Sequence, residues 1–287
     1  MSVEHYENFP VASWLCPPAL RPAVEAIYDF ARTADDIADE GMATPEERLS
    51  SLHAYREDLR RVVAGVEPSA RWQPVFERLA SAIARHRLPP EALDALLDAF
   101  EQDIVKTRYA DRAELIDYCS RSANPVGRLL LHLYGIDDDT ARRQSDAICS
   151  ALQLANFWQD LSVDTGRGRL YVPESDCQRH GVDPEALLAG RDSSAVRALV
   201  GDMVAWARAL MHTGALLVHR IPGRAGWELR LVVQGGLRIL ERIDRLGGAS
   251  LIERPRLGMA DALPVTWRAL RMSRRTATAM AGQGEPT

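Results

Sequence analysis

Two clusters of aspartate constrain this chain more than any other feature of its sequence. The first cluster is Asp35-Asp36-Ile37-Ala38-Asp39 and the second is Asp160-Leu161-Ser162-Val163-Asp164. Each cluster has two carboxylates four residues apart, and side chains at that spacing lie about 5 to 6 Å from each other on one face of a helix. Each helix therefore offers several carboxylate oxygens to one hard cation, which prefers oxygen ligands. Two such helices that face each other predict a site that holds a polyphosphate.

The form of the clusters favours magnesium and a diphosphate over calcium. A calcium-binding EF-hand loop has its ligands at alternate positions around a glycine, and neither cluster has that form. A diphosphate can approach several aspartates only through bridging cations, which also neutralise the charge on a departing leaving group. The spacing therefore indicates metal-assisted ionisation of a diphosphate ester.

Each cluster continues a polar stripe along its helix, which an ordinary solvated acidic face need not do. At spacings of i, i+4, i+7 and i+11, the first stripe consists of Tyr28, Arg32, Asp35 and Asp39. At spacings of i, i+3, i+7 and i+11, the second stripe consists of Gln153, Asn156, Asp160 and Asp164. Bulky apolar residues flank the second stripe, among them Phe157 and Trp158. A single acidic pair would favour a solvated surface, but two such stripes favour a site that faces a cavity.

The apolar residues recur at helical spacing and almost never alternate, which predicts an all-α fold. With 287 residues, 46% of them hydrophobic, the chain can bury a large core. We expect one domain over residues 1–280 and a disordered tail over 281–287. The predicted helices cover residues 21–40, 45–64, 73–87, 90–107, 112–134 with a bend at Asn124-Pro125, 139–164, 193–220, 225–246 and 261–277. Thr44 and Glu47 predict a capping box at the start of the second helix.

Composition and charge argue against several other classes of protein. A net charge of −5 and a pI near 5.8 argue against nonspecific nucleic-acid binding. No run of 18 apolar residues and no signal-peptide pattern is present, so we expect a soluble, cytoplasmic protein. The four cysteines form no CxxC pair, which favours packed, reduced thiols over disulfides or a zinc site.

The last predicted helix has a basic face, formed by Arg268, Arg271, Arg274 and Arg275. Such a face is compatible with peripheral contact with anionic lipid at the inner face of a membrane. A solvated terminal helix is the favoured interpretation. Trp206, Trp227 and Trp267 fall at helical spacing and are predicted to lie in the core.

Three segments resemble motifs of the squalene/phytoene synthase family, the all-α trans-isoprenoid synthases that join prenyl chains head to head. Residues 28–39 match the family's tyrosine, arginine and DDxxD positions, and residues 153–164 match its QxxNxxxDxxxD signature. Residues 168–173, from Gly168 to Pro173, match the GRxYxP segment that follows. The resemblance covers almost the whole chain and implies a single-domain helical bundle around a central apolar cavity.

The resemblance also implies roles for the matched positions. The implied Mg²⁺ ligands are Asp35, Asp36, Asp39, Asn156, Asp160 and Asp164. The residues implied to contact the diphosphate or line the reacting centre are Tyr28, Arg32, Gln153, Arg169 and Tyr171. Near the N-terminus, His5 and Phe9 correspond to substrate-contacting residues of the family, although packing of that segment explains them equally well.

Within the family, residues 5–13, 100–103 and 122–128 resemble the hydroxysqualene synthases of bacterial hopanoid pathways. That resemblance implies that presqualene diphosphate ionises with Mg²⁺, that the cation rearranges to the 1'-1 linkage, and that water quenches it to hydroxysqualene. A presqualene diphosphate synthase would supply the substrate and a separate flavin-dependent enzyme would reduce the product. No nicotinamide is therefore expected.

Two other functions stay open at this point. One is a presqualene diphosphate or phytoene-type synthase that condenses two prenyl diphosphates. The other is a non-catalytic assembly factor, although its expected mark, the loss of aspartates, is not present here. Gln159 stands where the condensing enzymes usually carry arginine, which we interpret as the loss of a cation beside the diphosphate.

Overall fold

The computed structural model describes residues 15–273, and the regular secondary structure of this part is helical apart from one isolated β-bridge between Arg108 and Leu170. The α-helices are α1 (Arg21–Asp39), α2 (Pro45–Val63), α3 (Gln73–His86), α4 (Pro90–Val105), α5 (Arg112–Ser122), α6 (Asn124–Leu133), α7 (Asp139–Gln159), α8 (Leu161–Gly166), α9 (Glu174–Arg179), α10 (Pro184–Leu188), α11 (Ser194–Gly214), α12 (Gly223–Arg245) and α13 (Met259–Arg271). Two short 3-10 helices cover Ala215–His219 and Ala249–Leu251. The predicted all-α fold is confirmed.

Local sequence explains where several helices begin and end. Thr44 opens α2 with the predicted capping box, because the Glu47 N–H donates to Thr44 Oγ1 (3.3 Å) and the Thr44 N–H donates to Glu47 Oε2 (2.8 Å). The bend predicted at Asn124-Pro125 is a complete break, with α5 ending at Ser122 and α6 beginning at Asn124. Proline lacks a backbone donor and therefore interrupts the helix there.

The predicted helix over residues 139–164 is wrong in one respect, because α7 ends at Gln159 and α8 begins at Leu161. Asp160 lies between them with φ −97° and ψ 12°, and its N–H donates to the Asn156 carbonyl over 2.8 Å. A one-residue interruption hardly changes the hydrophobic period, so the pattern did not indicate it. The consequence is that Asp160 lies at a helix end and not within a continuous stripe.

Helix α7 packs against α6, α11 and α12, and its contact with α11 is close enough to require a glycine. A Cβ atom on Gly214 would lie 2.5 Å from the Gln144 carbonyl oxygen and 2.5 Å from Ile148 Cγ1. Gln144 and Ile148 belong to α7, so any side chain at position 214 would push the two helices apart. The position of α7 matters for function because its last turn leads to the second aspartate cluster.

The core contains most of the residues that the sequence predicted to be buried, with two exceptions. Trp206 packs against the largest buried cluster, but Trp227 and Trp267 are exposed, so their predicted core positions are wrong. Helical spacing shows that residues share a face and does not show which way the face points. The cysteines are free, and Cys16, Cys119 and Cys177 are buried, as predicted.

No helix within residues 15–273 is long and apolar enough to cross a membrane. The predictions for His5, Phe9, Arg274, Arg275 and the tail at 281–287 lie outside the described residues.

Two glycines of α11 provide a matched test of the contact between α7 and α11. Gly214→Ala should lower the free energy of unfolding by about 1 to 3 kcal/mol, because the new methyl group meets backbone that cannot move freely. Gly201→Ala has no neighbouring atom within 4 Å of the new Cβ and should raise the free energy by about 0.5 to 1 kcal/mol through helix propensity. Urea melts followed by circular dichroism measure both values. Equal effects of the two substitutions would contradict the close approach.

Candidate active site

The two aspartate clusters lie at the C-terminal ends of two helices. Helix α1 ends at Asp39, and α7 ends at Gln159, directly before Asp160. The C-terminal end of a helix carries partial negative charge, because its last carbonyl groups have no intrahelical donors. Both helix ends therefore add to the negative potential of the carboxylates and favour cations.

Arginine side chains connect the two clusters. Arg167 donates to Asp39 over 3.3 Å, and Arg169 donates to the other oxygen of the same carboxylate. Both arginines follow the second cluster directly, and their backbone N–H groups donate to the Asp164 carbonyl over 3.0 and 2.9 Å. Gly168 has φ +76°, which allows the tight turn between them. These two arginines therefore link the end of the first cluster to the end of the second.

Asp35, Asp36 and Asp160 also have arginine partners. On α1, Arg32 forms ion pairs with Asp35 (3.3 Å) and Asp36 (2.7 Å). Arg254 lies in the segment before α13 and donates from Nη2 to Asp160 Oδ2 over 3.0 Å. Sequence reasoning missed Arg254 because it lies 94 residues from its partner, in a segment without any periodic pattern.

The crowding of carboxylates changes their protonation. Burial and the neighbouring Asp160 raise the pKa of Asp164 to about 7. Burial also acts to raise the pKa of Asp39, but Arg169 and Arg167 hold it below its usual range. Asp39 is therefore ionised near neutral pH, whereas Asp164 is poised to lose its proton there.

Asp103 on α4 is a carboxylate of this site that sequence reasoning did not assign. Burial, opposed by Tyr118 and Arg169, raises its pKa to about 7, and the negative charges of Asp39 and Asp35 contribute to that rise. The Tyr118 hydroxyl donates to Asp103 Oδ2 over 2.8 Å, while Asp103 Oδ1 is shielded from solvent and accepts no hydrogen bond. The pair joins two different helices, so no spacing within one helix could have indicated it.

A group of buried aromatic rings borders these carboxylates. The rings of Tyr171 and Phe157 stack with centroids 3.8 Å apart and planes 8° apart. Tyr118 and Tyr109 lie beside Tyr171, with ring centroids at 6.1 and 5.7 Å. Burial, with the nearby Asp103, raises the pKa of Tyr171, so its hydroxyl stays protonated. The site therefore combines charged groups with aromatic faces that can stabilise a nearby cation.

An apolar cavity of about 380 Å³ is lined by residues of α1, α6, α7 and α12, a volume in the range of small-molecule sites. Its walls include Val24, Ile27, Tyr28, Ala31, Leu130, Leu131, Ile148, Leu152, Leu229 and Val232. On both α1 and α7, the cavity-lining residues precede the aspartates in the chain, so the two helices run the same way from cavity wall to acidic end. Tyr28 lies on this wall two turns before Asp35. The predicted central apolar cavity is present.

The remaining predicted residues lie on α7. Gln153 is half-buried and Asn156 is exposed, both in the last two turns before Asp160. Gln159 is buried, and its Nε2 donates to the Pro255 carbonyl over 2.8 Å. Its side chain therefore braces the segment that carries Arg254, and the loss of a cation beside the diphosphate at this position stays a prediction.

The carboxylate oxygens of the clusters are suitable ligands for a hard divalent cation, but in the structure most of these carboxylates pair with arginines. No group of three or more His, Cys, Asp or Glu side chains within residues 15–273 is placed to hold a metal ion. Carboxylate oxygens are the ligands that Mg²⁺ prefers, and the unpartnered Asp103 Oδ1 leaves a buried acceptor without a donor. A cation at Asp39 would have to replace the arginine partners of that carboxylate.

Comparison with known proteins identifies the family of the chain. The chain matches the squalene/phytoene synthase family model over residues 3–261. A hydroxysqualene synthase of Sinorhizobium fredii is 35% identical over 239 residues, which cover 83% of this chain and 79% of that protein. A presqualene diphosphate synthase of Zymomonas mobilis is 36% identical over 185 residues, which cover 63% of this chain and 62% of that protein.

A solved structure shares the fold. The crystal structure of a squalene synthase from Alicyclobacillus acidocaldarius matches with a TM-score of 0.78 at 40% identity, covering 85% of this chain and 90% of that one. Together with the facing aspartate clusters at an apolar cavity, these matches show that the chain belongs to the squalene/phytoene synthase family.

Proposed function

We propose that the protein is a Mg²⁺-dependent hydroxysqualene synthase that converts presqualene diphosphate and water into hydroxysqualene and diphosphate. The observation that carries the proposal is that α1 and α7 both line an apolar cavity and both lead to an aspartate cluster, with arginines that link the two clusters. Among related reactions we favour this one because two relatives named hydroxysqualene synthase are 35% and 34% identical over 83% of the chain, whereas a presqualene diphosphate synthase that covers 90% of the chain is only 29% identical.

The proposed chemistry begins at the acidic end of the cavity. The bond between C1 of the substrate and the diphosphate oxygen breaks, and its electron pair leaves with the diphosphate. Asp35, Asp39, Asp160 and Asp164, with Asp36 and Asn156 nearby, would hold Mg²⁺, which neutralises the leaving group when bound. Arg32 and Arg169 would bind diphosphate oxygens, since a guanidinium can move from a carboxylate to a phosphate with similar geometry.

The cavity walls would protect the carbocation from early quenching. Aliphatic side chains offer no nucleophile and exclude water. Burial raises the pKa of the Cys149 thiol to about 11, which keeps this wall residue protonated and weakly nucleophilic. Among the described lining residues, Glu228 is the acidic one. It interacts with Cys16, which lies near the N-terminal end of α1, whereas Asp39 lies at the other end of that helix.

The final step adds water to the rearranged cation. The oxygen of water forms a bond to carbon and its surplus proton leaves to solvent or diphosphate, so no reductant is consumed. We therefore propose no nicotinamide cofactor for this chain. A presqualene diphosphate synthase would supply the substrate, a flavin-dependent reductase would consume the alcohol, and both steps would take place on the cytoplasmic side without nucleic acid. Tyr28, Gln153, Tyr171, His5 and Phe9 keep their proposed roles in contacting substrate.

A presqualene diphosphate synthase is the second candidate, supported by the relative of that name from Zymomonas mobilis. It would condense two farnesyl diphosphates and would not need water. A non-catalytic assembly factor is disfavoured, because the aspartates of both clusters and their spacing are intact.

A product assay separates the two enzymatic candidates. Purified protein with Mg²⁺ should convert presqualene diphosphate to a C30 alcohol and leave farnesyl diphosphate unchanged, with lipids identified by mass spectrometry. Oxygen from ¹⁸O-labelled water should enter the alcohol. Consumption of farnesyl diphosphate to form presqualene diphosphate would support the second candidate instead.

Asp160→Asn tests the assigned role of the second cluster. An amide is a weaker metal ligand than a carboxylate, and replacing even an indirect metal partner costs 10- to 100-fold, so turnover should fall by at least about 100-fold. Asp137→Asn is the matched control, because Asp137 precedes α7 and its side chain is 86% exposed beside Arg142. Steady-state rates over a series of Mg²⁺ concentrations measure the effect. Equal turnover of both variants would contradict the role of Asp160.

The pKa values of about 7 at Asp164 and Asp103 make the stability of the metal-free protein depend on pH. In the unfolded chain these carboxyls ionise near pH 4, so between about pH 4 and pH 7 the folded protein holds protons that the unfolded chain has lost. The free energy of unfolding is therefore highest at the acidic end of this window and falls as the pH rises to about 7, where the folded protein also loses these protons. Asp103→Asn should flatten this decline, measured as Tm between about pH 5 and pH 8.

Addition of Mg²⁺ should restore stability mainly at the alkaline end of this window, because metal binding requires ionised carboxylates and releases protons. A metal-free Tm that is unchanged by Asp103→Asn across the window would contradict the raised pKa of that carboxyl.

A further inference from the structure

Helix α13 has an apolar face that points away from the protein. Met259, Leu263, Trp267 and Leu270 are 92%, 79%, 56% and 57% exposed. They occur at i, i+4, i+8 and i+11, so on a helix of 3.6 residues per turn they share one face over about 16 Å. We call these four side chains the α13 stripe.

The opposite face of α13 accounts for its packing on the protein. Ala269 and Met272 are buried there, and Met272 belongs to the apolar cluster that includes Leu217 and Ile221. An amphipathic surface helix normally has its apolar face toward the core and polar residues outward. Here the outward face is apolar as well, and a contiguous exposed apolar patch marks an interaction site.

The charged groups around the α13 stripe are mainly cationic. Asp261 is the acidic residue of α13, and it is buried between Arg238 (2.7 Å) and Arg242 (2.8 Å), which neutralise it. The Arg271 guanidinium lies 5.1 Å from the Trp267 ring centroid, at the edge of the stripe. Arg268 is the other cation of α13 and pairs with Glu241 of α12.

The charge of this part of the chain is opposite to the charge of the whole. Residues 238–275 contain nine arginines and four acidic residues, whereas the complete chain has a net charge of −5. Such an asymmetry orients a protein toward a negatively charged surface. An aromatic residue and arginines beside aliphatic side chains are the usual composition of a helix that lies in the lipid headgroup region.

We propose that the α13 stripe docks the protein onto the surface of an anionic lipid bilayer, with the four apolar side chains inserted among the acyl chains and the arginines at the phosphate groups. The contact is from one side only, because no helix within residues 15–273 could span the bilayer. It does not depend on the proposed function.

The position of α13 gives this contact a use if the proposed function holds. Helix α13 packs on α12, through Arg238 and Asp261 at one point and Gln234 and Met272 at another. Residues of α12 also line the apolar cavity, including Leu229. A bilayer at the α13 stripe would therefore lie one helix away from the cavity that takes up a water-insoluble chain.

Vesicle flotation with the purified full chain tests the proposal. The protein should float with vesicles of phosphatidylcholine and phosphatidylglycerol in a three-to-one ratio, and much less with phosphatidylcholine alone. Leu263→Glu combined with Trp267→Glu should lower partitioning by at least about tenfold, because burial of two large apolar side chains is lost. Met42→Glu combined with Val66→Glu changes two exposed apolar residues far from α13 in sequence and should float like the wild type.

Each alternative has its own result in this experiment. If both double variants bind like the wild type, or if binding is equal without phosphatidylglycerol, the proposal is overturned. A second copy of the chain is the other occupant of the α13 stripe, and light scattering would then find a wild-type dimer, a monomeric Leu263→Glu/Trp267→Glu variant and no flotation. Circular dichroism melts confirm that both variants are folded. Flotation without turnover would overturn only the proposed function.

Discussion

The accumulation of negative charge where α1 and α7 end is the constraint on which the rest of the site depends. The charge of Asp39 acts to raise the pKa of both Asp103 and Asp164, and two helix ends add to the same negative potential. Such an arrangement is stable only with counter-ions, and the chain supplies them as arginines on both sides, with Arg169 as the direct link. A guanidinium group binds phosphate oxygens in a geometry similar to its pairing with a carboxylate. If these arginines moved from Asp39 to a phosphate, the Asp39 carboxylate would become free for a metal ion.

Much of the fold could be predicted from the sequence, because helix periodicity and caps are local properties. The capping box at Thr44 and the break at Pro125 follow from the residues at those points. The interruption at Asp160 could not be predicted, since one residue hardly changes the period. The partners of the aspartates were only partly foreseeable: Arg32 is on the same helix, whereas Arg254 comes from a distant segment with no repeating pattern.

The position of Gln159 changes how the difference from the condensing enzymes is understood. Its buried side chain donates to the Pro255 carbonyl. Pro255 directly follows Arg254, which pairs with Asp160. The absence of an arginine at 159 therefore does not leave Asp160 without a cation, because the cation comes from the neighbouring segment. Under the proposed function, we expect the choice between condensation and hydration to depend on the cavity wall and on where water enters.

Helix α12 connects the two apolar regions of the molecule. One side of it contributes Leu229 and Val232 to the cavity, and another side receives α13 through the buried ion pair of Arg238 and Asp261. The ion pair fixes the rotation of α13, because Asp261 must face α12 for its charge to be neutralised. That rotation in turn directs Leu263 and Trp267 outward. The same charge pair that attaches α13 therefore exposes its apolar face, which is why the tryptophan predicted for the core lies on the surface.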